Sequence, residues 1–291
     1  MKRASPYLAL LRPTQWVKNF FCFGGLVFAG KAREPHALAE ALEAFVAFCA
    51  AASAVYVFND LRDRIADSRH PQKRLRPLAS GAVSPISATG LSVACAVLAL
   101  VLSFPLGLSV IGIIAGYIGL NAAYSCWLKQ YALIDVMIIA AGFILRIFAG
   151  TEAVHVPASS WILLCTFFLS MFLGFAKRRA EMTTTAATQS RGVLAHYSTH
   201  LLDRYCLIFA ALSIAAYALF TTSLPSHRAL ILTCPPVVYG ILRYLWLVEH
   251  HQEHEQIEVV LYRDRPLQTA ILLWGALYAA ILYGGWQLNV Q

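Results

Sequence analysis

Apolar runs long enough to cross a lipid bilayer as helices recur along this chain, and they limit its fold more than any other feature. Nine such runs lie near residues 17–30 (a short one), 37–58, 86–104, 106–125, 131–150, 160–176, 204–223, 228–248 and 267–286. Spanning the hydrocarbon core takes roughly 17–25 apolar residues in a helix. In lipid, each backbone N–H and C=O must find its partner within the protein, so such runs are helical. The strands of an outer-membrane barrel would alternate apolar and polar residues, and these runs do not. Composition agrees, with 59% of the residues hydrophobic and only 13% charged, against about a quarter charged in soluble domains. The expectation is an all-α, polytopic membrane protein with nine transmembrane helices.

The net charge of +8 invites a nucleic-acid reading, but the basic residues are sorted by side of the membrane. With nine spans and an inner N-terminus, the inner segments carry 18 of the 23 Lys and Arg residues. Lys31, Arg33 and Arg228 fall outside, and Arg146 and Arg243 fall within spans. That asymmetry follows the positive-inside rule, and it explains the basic excess without nucleic acid. The expected location is the inner (plasma) membrane, with a cytoplasmic N-terminus and the polar clusters facing the cytoplasm. The start, MKRASPYLALLRPTQWVKN, lacks an apolar stretch ending in a small-residue cleavage site, so no signal peptide is expected. Trp16, with Lys18 beside it, reads as an interfacial anchor. The seven cysteines all fall in apolar runs without a CxxC pair, and read as buried hydrophobes rather than disulfides or metal ligands.

No linker divides the sequence, so residues 1–291 read as one domain. Its two polar clusters, near 59–85 and 176–203, are expected to form a cap over the inner face. Gly112 and Gly116 have the small-xxx-small spacing that lets helices approach closely, and read as a packing stripe.

The first cluster, NDLRDRIADSRHPQKRLRPLASG, runs from Asn59 to Gly81. On a helix leaving the second run, Asp60, Asp63 and Asp67 share one face at three- and four-residue spacing. Like charges so placed repel, and a divalent cation on oxygen ligands relieves the repulsion. Mg²⁺ takes one or two carboxylates and completes its shell with waters and substrate phosphates. Asn59, Asp60, Asp63 and Asp67 are therefore the candidate metal ligands. The competing reading is a solvated helix end whose acids are offset by Arg62, Arg64 and Arg69. Lys73, Arg74 and Arg76 follow between Pro71 and Pro77, a stiff cationic loop suited to phosphate oxygens.

Other inner segments repeat the theme. RPTQWVKN brings Arg12 and Lys18; YSCWLKQYALIDV brings Tyr124, Lys129 and Asp135; AKRRAE brings Lys177, Arg178, Arg179 and Glu181. Arg146 lies inside a span, where an arginine is costly and usually faces a polar cavity. Pairing with Asp135 or a carbonyl is its structural alternative. His250 and His254, four apart, lack a third ligand and read as a solvated loop.

The stretch N59-D60-x-x-D63-x-x-x-D67 after the second run resembles the first aspartate-rich motif of the UbiA superfamily of intramembrane prenyltransferases. RPTQWVKN, the whole Asn59–Gly81 stretch, DVMIIAAGFILRIFAG, FAKRRAE, YGILRYLWLV and DRPLQTAILLW are similar to its decaprenyl-phosphate phosphoribosyltransferase branch. The resemblance implies a UbiA-type bundle with a central cavity open to lipid. It implies Mg²⁺-dependent transfer of 5-phosphoribose from phosphoribosyl diphosphate to a polyprenyl phosphate, with release of diphosphate. Aromatic-acceptor members carry a second D-x-x-x-D pair after the sixth span. Here Lys177, Arg178, Arg179 and Glu181 stand there instead, which suits a more anionic pair of reactants.

On this reading Asp60, Asp63, Lys73 and Arg74 are catalytic. Lys18, Arg76, Tyr124, Lys129, Arg146, Lys177, Arg178 and Glu181 bind the substrates. The partners expected are phosphoribosyl diphosphate, a polyprenyl phosphate and the membrane, and assembly into a homo-oligomer is compatible with the sequence. The alternative enzyme transfers a polyprenyl group from its diphosphate to an aromatic acceptor. A transporter would place polar residues at mid-membrane depth in several helices, whereas here they gather at one face.

Overall fold

The computed structural model describes residues 5–182, 192–223, 225–250 and 263–284. Its helices are α1 (Pro6–Leu11), α2 (Gly24–Phe28), α3 (Pro35–Ser68), α4 (Pro85–Ser103), α5 (Leu108–Cys126), α6 (Ile134–Ala153), α7 (Ser160–Met182), α8 (Thr199–Thr222), α9 (Cys234–His250) and α10 (Arg265–Gly284). Among the described residues there is no strand. Eight helices among the described residues are long and apolar enough to cross a membrane, and the protein is a multi-pass membrane protein.

The first of the nine expected runs differs in form. Instead of a membrane-length α-helix, Pro13–Phe23 is a 3-10 helix that leads into α2. A 3-10 helix rises about 2.0 Å per residue against 1.5 Å for an α-helix, so Pro13–Phe28 still reaches about 30 Å. Runs of this kind beyond three or four residues are uncommon, and this one is held by ties to its neighbours described below.

The helices gather into two compact units, α1–α6 and α7–α10. In the first, α3 is the axis. It is 34 residues long, about 51 Å at 1.5 Å per residue, and so overhangs a 30 Å hydrocarbon core by about 20 Å. Pro35 opens it at a position where a missing N–H costs nothing. It stops just before His70-Pro71, because the residue preceding a proline is pushed out of the helical region. Its buried face is lined with alanines (37, 41, 44, 47, 51, 52 and 54), which let α4, α5 and α6 pack close. Phe48, Val110, Ile114, Tyr117 and Ala149 fill the core between them.

The packing stripe expected at Gly112 and Gly116 is also corrected: a Cβ at either would meet nothing within 4 Å. The close approaches are at Gly25 and Gly150. A Cβ on Gly25 would lie 2.8 Å from Thr151 Cα, and one on Gly150 would fall on the Cys22 carbonyl oxygen. Neither pair has the four-residue spacing within one helix that marks such stripes, so sequence could not single them out.

In the second unit α7 packs along α8, with Phe175 stacked on Phe209 at 5.5 Å. Arg179 Nε donates to Asp203 Oδ1 at 2.7 Å across the same pair. Asp264 caps α10, accepting from Leu267 N at 2.8 Å, and takes Arg243 Nη2 at 2.8 Å. That bond ties α9 to α10 and accounts for the intramembrane Arg243. His254 lies outside the described residues, as do residues 183–191 of the second polar cluster.

Candidate active site

The acid motif occupies the overhang of α3, where a helix too long for the hydrocarbon core delivers carboxylates to the interface. Its acids differ in surroundings. Asp60 and Asp67 are buried, their side chains 3% and 6% exposed, whereas that of Asp63 is 30% exposed.

Each acid is met by a cation from elsewhere in the first unit. Arg12 Nη2 donates to Asp60 Oδ1 at 2.5 Å. Arg76 Nη1 bridges Asp67 Oδ2 at 2.6 Å and Asp60 Oδ1 at 3.1 Å. Lys129 Nζ donates to Asp63 Oδ1, and Asn59 Nδ2 donates to Asp63 Oδ2 at 3.2 Å. Residues 12, 76 and 129 are distant in sequence; the fold brings them to one helix end. Arg62, Arg64 and Arg69, the neighbours in sequence, are exposed and leave the buried acids to others.

The cationic loop is stiff for a reason beyond its prolines. Leu78 and Val83 insert into a small core with Leu10, Val57 and Ala88. Lys73–Leu75 forms one 3-10 turn, and the loop closes with Ser80 N donating to Arg76 O at 2.9 Å. At the start of that turn His70 Nδ1 accepts from the backbone N–H groups of Gln72 (3.2 Å) and Lys73 (3.3 Å). An acceptor nitrogen must be unprotonated, and the His70 pKa is lowered, chiefly by burial and then by the Lys73 charge. Arg76 points into the acids, Lys73 is half-buried and Arg74 is exposed.

Arg12 had no role on sequence grounds beyond its presence in RPTQWVKN. It adopts φ 51°, ψ 59°, a left-handed conformation that costs a non-glycine residue about 1–3 kcal/mol. Its bond to Asp60 and its place over the Tyr56 ring, 5.1 Å from the centroid, offset that strain. The Arg-Pro pair was the available signal, since proline bars its predecessor from the right-handed helical region.

The other candidates divide into four groups. Lys129 joins the acids, and Tyr124 is half-buried five residues before it, near the end of α5. Lys18 donates to Gln15 Oε1 at 2.7 Å on the 3-10 segment. Lys177, Arg178 and Glu181 belong to α7 in the second unit, where Arg178 is buried and donates to Glu181 Oε2 at 2.6 Å. Arg146 is enclosed at depth. It shares surroundings with Phe48, twelve residues and so about 18 Å along α3 from Asp60. It does not pair with Asp135, which is eleven residues away on the same helix.

Among the described residues no three His, Cys, Asp or Glu side chains are grouped to hold a metal by themselves. The available donors are oxygens: the water-accessible carboxylate of Asp63, the Asn59 amide oxygen, and Asp60 beneath two guanidinium groups. Hard oxygen ligands, few in number, suit Mg²⁺ when a bound phosphate supplies the remaining ligands. Asp67, committed to Arg76, is the least accessible of the four.

A helical bundle with an acid motif and fixed cations on the overhang of its longest helix defines a class of intramembrane transferases. The chain belongs to the UbiA prenyltransferase family, whose model matches residues 19–272. It is 34% identical over 297 residues to decaprenyl-phosphate phosphoribosyltransferase of Mycolicibacterium smegmatis, covering 96% of this chain and 93% of that protein. It is also 34% identical to the enzyme of the same name from Corynebacterium glutamicum, over 93% of this chain and 85% of the other. Among solved structures, it resembles a UbiA homolog from Archaeoglobus fulgidus bound to GPP and Mg²⁺. That match has a TM-score of 0.73 at 19% identity and covers 97% of this chain and 98% of the other.

Proposed function

We propose that the protein transfers 5-phosphoribose from phosphoribosyl diphosphate to a polyprenyl phosphate at the cytoplasmic membrane face, releasing diphosphate. The observation that carries this reading is the pairing of every acid in the motif with a cation built into the same unit. A prenyl diphosphate brings one anionic group. A phosphoribosyl donor brings a diphosphate and a 5-phosphate, and the acceptor is a third anion. With the three acids offset by Arg12, Arg76 and Lys129, the site carries no net negative charge, and Mg²⁺ with the loop cations Lys73 and Arg74 answers that larger anionic load. The mycobacterial and corynebacterial relatives support the same choice over an aromatic acceptor, which the fold alone leaves open.

Asn59, Asp60 and Asp63 would hold Mg²⁺, which supplies charge neutralisation of the diphosphate. Arg76 and Arg12 hold Asp60 in place, and Asp67 keeps Arg76 from swinging into water. Lys73, Arg74 and Arg76 stabilise negative charge on the departing diphosphate as the ribose C1–O bond breaks. A phosphate oxygen of the acceptor forms the new bond to C1. It is anionic at neutral pH, so no side chain needs to remove a proton from it. Lys18, Tyr124 and Lys129, in the same unit as the acids, are candidates for the remaining phosphate groups of donor and acceptor.

The test is purified protein in nanodiscs with phosphoribosyl diphosphate, Mg²⁺ and a polyprenyl phosphate, scored for phosphoribosyl lipid and diphosphate. Asp63→Asn should shift the Mg²⁺ dependence of the reaction to higher concentration. Prenylation of an aromatic acid from a polyprenyl diphosphate, with no phosphoribosyl lipid formed, would establish the other enzyme instead.

A further inference from the structure

Arg146 is a full charge that the acid site does not use. It is 4% exposed, and its polar partners are all neutral. Nε donates to Asn19 Oδ1 at 2.7 Å, Nη1 to Gly142 O at 2.7 Å and Nη2 to Tyr117 Oη at 3.0 Å. The rings of Tyr117, Phe48 and Phe143 lie 4.8–5.5 Å from its guanidinium carbon. A charge enclosed within a membrane span, with no carboxylate to neutralise it, is expensive and is retained for a function. Its level along α3, marked by Phe48, lies about 18 Å from Asp60 and the other metal-ligand candidates.

What Arg146 does reach is the 3-10 segment Pro13–Phe23. This segment has poor internal hydrogen bonding and is fastened from outside at several points. Trp16 Nε1 donates to Ser53 Oγ at 3.1 Å, and Ser53 Oγ donates to Leu11 O at 3.0 Å. The Cys22 carbonyl seats on Gly150. Between these ends Asn19, fully buried, accepts from Arg146 and donates to Cys49 Sγ at 3.2 Å. Arg12, held to Asp60 in a strained conformation, is the first residue upstream of the segment. Slippage or rotation of the segment would withdraw it.

We propose that Arg146 is a positioning residue: through Asn19 it fixes the 3-10 segment so that Arg12 stays on Asp60. The assignment rests on the phosphoribosyl-transfer reading for its kinetic consequence, but not for its structural one. The alternative is that Arg146 acts by its field, as a lone positive charge attracting anionic substrate. Asn19→Asp separates the two, because it keeps the tie as an ion pair while neutralising the charge.

The experiment uses full-length protein in nanodiscs and two readouts, hydrogen exchange of the peptide covering 12–23 and steady-state kinetics with phosphoribosyl diphosphate. Arg146→Gln and Asn19→Ala should each raise exchange in that peptide about tenfold while α5 stays protected. They should raise KM for phosphoribosyl diphosphate about tenfold with kcat held within about threefold, the pattern of lost substrate binding. Arg146→Lys should fall between, and Asn19→Asp should remain near wild type in both readouts. Wild-type exchange and KM in Asn19→Ala overturn the proposal, and so does an Asn19→Asp protein that behaves like Arg146→Gln. Should Arg146→Gln fail to fold, Asn19→Ala carries the test, since it leaves the bonds to Gly142 and Tyr117 in place. A wild-type protein inert toward phosphoribosyl diphosphate defeats the functional reading, and the exchange data still decide the role of Arg146.

Discussion

Arg76→Gln tests the logic of the site most directly, because the structure says where the loss must fall. Arg76 Nη1 touches Asp67 and Asp60 together, but Asp60 keeps Arg12 at 2.5 Å when Arg76 is removed. Asp67 keeps no second cation, and its side chain is only 6% exposed. Stripping the partner from a fully buried carboxylate costs about 3–5 kcal/mol, whereas an exposed pair is worth under about 1 kcal/mol. Arg76 is 28% exposed, so water partly replaces it and the expected loss is about 2 kcal/mol. The assay is a double-mutant cycle of Arg76→Gln and Asp67→Asn, followed by thermal unfolding in detergent. Asp67→Asn removes the stranded charge, so the double variant should recover part of the loss, with a coupling energy of about 1–2 kcal/mol. Strict additivity of the two substitutions would refute the bridge as an energetic element, and with it the reason for treating Asp67 as the anchor of Arg76.

Further expectations concern packing and protonation. Gly150→Ala should lower the unfolding temperature by a margin corresponding to about 3 kcal/mol, the upper end for overpacking, because backbone at Cys22 cannot yield as a side chain would. Gly112→Ala and Gly116→Ala should be neutral or slightly stabilising in the same assay, since a methyl group there meets open space and alanine favours the helix. His70 accepts two backbone hydrogen bonds with an unprotonated Nδ1, and its pKa is lowered. The folded turn therefore binds fewer protons than the unfolded chain. Its contribution is complete above about pH 6.5, the ordinary histidine value, and is lost as pH falls below it. Hydrogen exchange of residues 69–76 should rise on acidification through that range, and His70→Asn, which retains an acceptor, should flatten the dependence.

The acid motif was legible because its spacing along one helix is a local property. Asp60, Asp63 and Asp67 need only the 3.6-residue period to share a face, and the apolar run before them places that face at a membrane boundary. The cations were harder. Arg76 could be nominated from its place in a proline-flanked basic loop and Lys129 from a neighbouring inner segment, but nothing local says which acid each would meet. Arg12 had the weakest signal, because its strained backbone and its partner forty-eight residues away exist only once α1 and α3 are packed.

Arg146 shows the same division from the other side. An arginine inside an apolar run could be recognised as costly from sequence, and a polar cavity was the reasonable expectation. The fold closes Asn19 and the rings of Tyr117, Phe48 and Phe143 around it, contacts that only packing could assign. Gly112 and Gly116 carried a helix-packing spacing that packing did not use, while Gly150 and Gly25 carried none and became the close contacts. Hydropathy, helical periodicity and charge sidedness are written along the chain, so membrane class, helical architecture and the acid face followed from order alone. Which cation answers which acid, and which glycine meets a neighbour, depend on pairs of residues far apart in the chain. Those pairings are settled only when helices pack, because hydrogen bonds and van der Waals contacts act over a few ångströms and carry no memory of sequence distance.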